Sequence, residues 1–152
     1  MAQRKGGQGR VPTATLLTRI FSTGNIKNFV FRNQEHLKLP ALSEHLAELC
    51  AQKGMKPKDV VKNADIDRFY GAEIFSGKRC NPSREYVLRL AFGLGLSYKE
   101  CQRLLTVAGK SLLYPRVESD AVMIKCLHSG LGYQETEDLL FEMGLPTLKG
   151  KI

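Results

Sequence analysis

At 152 residues and 43% apolar content, the chain is long enough for one domain, or one domain with an appendage, and can fill a core. No run approaches the roughly 18 apolar residues of a membrane span, so no membrane segment is expected. The net charge of +8 leans towards a polyanionic partner.

That charge is unevenly spread. Residues 1–36 carry Arg4, Lys5, Arg10, Arg19, Lys27 and Arg32 against Glu35. The stretch 53–89 is basic, 90–145 is acidic, and the end adds Lys149 and Lys151. Cys50, Cys80, Cys101 and Cys126 form no C-x-x-C, and His36, His45 and His128 are scattered. Zinc ligands need closer spacing. Buried or half-buried free thiols in a reducing cytoplasm are the expectation, with no metal and no other cofactor.

Residues 1–13 are rich in Gly, Gln and Arg without periodicity, and are read as disordered. They hold no apolar signal core or cleavage site, so the chain is placed in the cytoplasm. Leu16, Leu17, Ile20 and Phe21 form one short amphipathic turn, and Ile26, Phe29, Val30 and Phe31 another. Pieces this short are unstable alone. Leu16, Leu17, Ile20, Phe21, Phe29 and Phe31 are therefore expected to be buried, on the body of the chain or against a second chain.

Beyond Pro40 the apolar residues recur at helical spacing. Leu42, Leu46, Leu49 and Cys50 give a helix to Lys53 that Gly54 stops. Val60, Val61 and Ala64 stripe a second helix. Ala64-Asp65-Ile66-Asp67 is a turn pinned by Ile66. Asp67 caps a third helix on Tyr70, Ile74 and Phe75, ended by Gly77. Ser83 opens a helix on Val87, Leu90, Ala91 and Leu94. Ser97 and Glu100 make a capping box for another, on Cys101, Leu104, Leu105 and Ala108.

The segment Gly54–Ser83 resembles the lambda-repressor/Cro-like (Xre-type) helix-turn-helix proteins. Gly54-Met55, Ala64, Ile66, Arg68-x-Tyr70, Ile74, Gly77-Lys78-Arg79, Asn81-Pro82-Ser83 and the following Val87/Leu90/Ala91 helix carry the likeness. The sequence departs from that family's pattern at Pro57, Val61 and Asp65, where Gln, Ala and Gly are usual. It departs again at Phe69 and Glu73, where small polar or basic residues are common. The resemblance implies an all-α, five-helix lambda-repressor-like domain over residues 37–109, with residues 1–36 as a basic N-terminal arm. It also implies binding to double-stranded DNA. Arg68, Phe69, Ala72 and Glu73 would then face the bases, with Lys58, Lys78, Arg79 and Arg84 on phosphates and the helix N-termini at Asp67 and Ser83 adding backbone donors.

An internal repeat extends the domain. GLSYKECQRLLTVAG at 95–109 returns as GLGYQETEDLLFEMG at 130–144. Residues 110–145 thus form a second helical hairpin, with helices near Val117–Ser129 and Tyr133–Met143, and 146–152 are a tail. The hairpin is expected to bury Val122, Leu139, Leu140 and Met143. Its outer face would present Tyr133 and Phe141 among Glu135, Glu137, Asp138 and Glu142. The order of arm, motif and Leu-Tyr-Pro-Arg junction is also similar to a group of small bacterial Xre-like proteins. No nucleophile–base pair, phosphate-cradling glycine loop or carboxylate–histidine cluster is present, and no enzyme is expected. Two readings stand: a sequence-specific transcriptional regulator, or an adaptor or antitoxin-like partner of an enzyme that reuses the fold. Leu17, Phe21, Phe29, Phe31, Tyr133 and Phe141 would serve a protein interface or a homodimer.

Overall fold

A computed structural model describes residues 11–150, which hold nine helices and no strand. Among the described residues no helix is long and apolar enough to cross a membrane. The chain divides into two compact units, Met1–Leu39 and Pro40–Ile152.

The first unit contains α1, Thr13–Ser22, and α2, Ile26–Arg32. Asn25 separates them and caps α2, its side chain accepting from Asn28 N–H at 3.1 Å. These are helices rather than isolated turns. Among the described residues of this unit only Phe29 is buried; Leu16 is half-buried, and Phe21 and Phe31 are 82% and 75% exposed. Leu17, Ile20, Phe21 and Phe31, expected to be buried, are exposed among the described residues. Of residues 1–13, expected to be disordered, 1–10 lie outside the described residues, and Thr13 begins α1.

In the second unit, α3 is Leu42–Lys53, α4 Pro57–Asn63, α5 Arg68–Ser76, α6 Arg84–Gly93 and α7 Tyr98–Val107. Helix α6 is buried on all sides from Val87 to Gly93, which makes it the axis of the unit. Helices α3, α4, α5 and α7 pack Leu46, Leu49, Val60, Ile74, Leu104 and Leu105 into the same core. Pro57 stands at the first turn of α4, where its missing N–H costs nothing.

The hairpin of α8, Glu118–His128, and α9, Tyr133–Glu142, joins this core, α8 on α7 and α9 on α6. Met123, Cys126, Leu127, Tyr133 and Leu140 are buried apolar residues of the hairpin, whereas Met143 is 54% exposed and Val122 and Leu139 are half-buried. Burial of Met143, expected from the repeat, fails because α9 ends at Glu142 and the chain turns away at Gly144.

The repeat runs further than its letters. Gln102 Oε1 accepts from Leu113 N–H at 2.9 Å, and Glu137 Oε1 accepts from Leu148 N–H at 2.6 Å. Leu113 and Leu148 are both buried. In each copy a polar side chain in the second helix fastens the backbone eleven residues on. Leu148 is therefore part of the core, not of a free tail. Tyr133 and Glu137, expected on the outer face, are also buried, the Tyr133 hydroxyl donating to Glu137 Oε2 at 2.8 Å. Burial, and next that bond to the carboxylate, raise the Tyr133 phenol above its ordinary pKa, so it remains a donor.

Candidate nucleic-acid interface

Helices α4 and α5 are joined by Ala64–Asp67. Asp65 adopts a left-handed backbone, φ 53°, a conformation that Asp tolerates better than most residues and Gly better still. Ile66, the next residue, is buried. Arg89 secures this turn from α6: its guanidinium donates to the carbonyls of Ala64, at 3.1 Å, and Asp65. The same guanidinium lies over the rings of Tyr86 and Tyr133, at 5.2 and 5.0 Å. Lys149 adds an ion pair to the Asp65 carboxylate at 3.1 Å. The second hairpin and the segment after it therefore hold the α4–α5 turn, although they lie far away in sequence.

Asp67 caps α5, its carboxylate accepting from Phe69 and Tyr70 N–H at 3.0 and 3.1 Å. Ser83 takes the N–H of Tyr86 in the same way. Those amides are thus already occupied, and the backbone donors expected for phosphates at the two helix starts are reduced accordingly. On α5, Gly71 and Ile74 face inward, while Arg68, Phe69 and Ala72 are exposed, Phe69 at 67%.

The expected base and phosphate contacts separate into three groups. Arg68, Ala72 and Lys58 are exposed, and Lys62, one turn beyond Lys58 on α4, joins them. Sequence reasoning missed Lys62, although its i+4 spacing from Lys58 puts it on the same face. Glu73, Lys78 and Arg79 form the second group. Glu73 is half-buried and lies 3.8 Å from Lys78 Nζ and 3.4 Å from Arg79. Arg79 also sits 4.3 Å over the Tyr70 ring, which stacks on Tyr86. Glu73 therefore offsets the charge of the loop after α5 rather than reaching outward freely.

Arg84, expected at a phosphate, forms the third group and has partners within the chain. It meets Asp120 through two nitrogens, at 3.1 and 3.5 Å, and donates to the carbonyls of Ser111 and Leu112. Asp120 is buried and also accepts from Tyr114 N–H at 2.9 Å. Arg84 thus joins α6 to the junction and to α8. A lone arginine at the head of a helix gives no sign of this, because its partner is 36 residues away.

Between α4 and α5 runs a groove of about 500 Å³. Pro57, Val61, Ala72 and Phe75 line it, with Lys58, Lys62 and Arg68 at its edges. Its depth follows from Gly71, whose missing side chain lets α5 approach Val61 closely.

Three of the four cysteines are buried, and burial pushes the Cys101 thiol up to about 12. Cys80 is exposed, contrary to the expectation of buried or half-buried thiols throughout. Among the described residues, no group of His, Cys, Asp or Glu is arranged to hold a metal. No family model, curated protein or solved structure matches the chain.

Proposed function

We propose that the chain is a double-stranded-DNA-binding transcriptional regulator of the lambda-repressor-like, Xre type, with α5 as its reading helix. One observation carries the reading. A short capped helix exposes Arg68, Phe69 and Ala72 on the side away from the core, between the cations Lys58 and Lys62 and the loop cations Lys78 and Arg79. Arg68 suits guanine O6/N7, and Phe69 suits a thymine methyl. The lysines suit phosphate oxygens, which position the protein without reading sequence.

The test is a salt-titrated binding assay on random-sequence duplexes with selection of enriched sites. Lys58→Ala with Lys78→Ala should weaken binding on all sequences and flatten the salt slope by about two. Arg68→Ala should relax preference at one base pair, at about 1–3 kcal/mol. Glu73→Gln, which frees Lys78 and Arg79, should strengthen binding. Absence of salt-dependent duplex binding would reject the proposal.

A second reading, an adaptor or antitoxin-like protein partner, is favoured by the exposed Phe69 and by the hold of Glu73 on the loop cations. It predicts retention of a protein partner by Phe69-dependent contact, with no duplex binding.

A further inference from the structure

The groove between α4 and α5 and the outer end of α9 have opposite characters. The groove is apolar along Pro57, Val61, Ala72 and Phe75, and cations stand at its edges: Lys58, Lys62 and Arg68. The one carboxylate there, Asp65, is paired with Lys149 at 3.1 Å. At the end of α9, Phe141 is 65% exposed and Met143 is exposed beside it. Asp138, one turn earlier, is an exposed acid that accepts from Gln134 Nε2 at 2.9 Å, and Glu142, the next residue, is a second exposed acid. The groove thus offers an apolar recess with a positive rim, and α9 an apolar knob with a negative rim. Within a single chain the knob stays in water. Exposed apolar groups gathered with matching charges mark contact sites more often than isolated exposed residues do.

We infer that the α4–α5 groove receives Phe141 of a second copy of this chain, with Asp138 and Glu142 set against Lys58, Lys62 and Arg68. Closed by a two-fold axis, the contact occurs twice in a dimer, each copy giving one knob and one groove. A single aromatic anchor in such a recess belongs to the small, transient class of interfaces. Charge at the rim makes the association weaken with salt. The contact forms in the free protein; because Lys58, Lys62 and Arg68 are also the cations proposed to meet a duplex, DNA and the second copy compete for this surface.

Sedimentation equilibrium of the full chain without DNA, at low and high salt, tests it. The expected result is a mass that rises with concentration towards a dimer at low salt and falls back at high salt. Phe141→Lys should abolish the rise. Lys58→Glu with Lys62→Glu in one protein, and Asp138→Lys with Glu142→Lys in another, should each lose it, and mixing the two should restore it. All of these positions are exposed, and unchanged melting curves should confirm that each variant folds. A monomer under every condition overturns the inference. So does association that survives Phe141→Lys but is lost in Phe21→Lys, which would instead assign the groove to the N-terminal helices.

Discussion

Gly71→Ala is a small change with a calculable effect. A Cβ added at Gly71 would lie 2.5 Å from both Cγ atoms of Val61. Comfortable carbon contacts are about 3.5–4.0 Å, so each overlap is roughly 1 Å. Val61 is buried and β-branched, and in a helix it has essentially one rotamer, so it cannot swing aside. Overpacking of this kind costs about 1–3 kcal/mol. The gain in helix propensity from Gly to Ala returns about 1 kcal/mol. The net expectation is a loss of about 0–2 kcal/mol. Val61→Ala removes two methyl groups and costs about 2 kcal/mol by transfer and cavity. The double variant, however, places the methyl added at position 71 in the space that Val61 vacates. It should be about 2 kcal/mol more stable than the sum of the two single losses. Urea unfolding followed by far-ultraviolet circular dichroism measures all three. Additivity within about 0.5 kcal/mol would show that the close approach of α5 to Val61 carries no energetic coupling.

Two further expectations concern stability. Asp120→Ala leaves Arg84 and the Tyr114 amide without their buried acceptor. Because Arg84 keeps some access to water, the cost falls near the lower end of such losses, about 3 kcal/mol, or about 6–12 °C of melting temperature in a chain of this size; a shift under about 2 °C would refute the assignment. Burial and, after it, Arg103 hold the His45 imidazole below its ordinary 6.5, and its Nε2 is buried without a partner among the described residues. The unfolded chain then takes up a proton that the folded chain refuses. Stability is therefore full above pH 6.5 and is lost as pH falls below it. Glu100, whose pKa is lowered first by its bond to the Ser97 amide, adds a loss only as pH falls below 4.5. His45→Leu should flatten the melting temperature between about pH 7 and 5, and an unchanged slope would place the titration elsewhere.

The local devices are legible in the sequence because they are written within a few residues. Asp67, Ser83 and Ser97 cap the helices that the spacing predicts, and Gly54 and Gly77 end theirs at φ 65° and 85°. The all-helical character follows from the same periodicity. What escapes is long-range. Tyr133, Glu137 and Leu148 are buried together because a carboxylate on α9 fastens backbone beyond it, and no periodic pattern reports that. Arg89 sits inside the run Val87-Leu88-Arg89-Leu90, and a charge in such a run is the available sign of a buried role. Helical spacing alone places Glu73 outward and is blind to the cation six residues on. The arm helices read as short turns because Ser22-Thr23-Gly24-Asn25 interrupts them, although α1 is amphipathic along its length.

The hold of Arg89, Tyr133 and Lys149 on the α4–α5 turn also sets an order of events during synthesis. Asp65 and Lys149 are 84 residues apart. At ribosomal rates of about 5–20 residues per second, the turn is made roughly 4–17 s before its last partner exists. In that interval α4 and α5 can form, but Asp65 must keep its left-handed backbone without the lysine, and Arg89 lacks the Tyr133 ring that covers it. The chain thus completes its proposed reading surface last, and a nascent chain stalled before α9 carries that surface without the contacts that fix its shape.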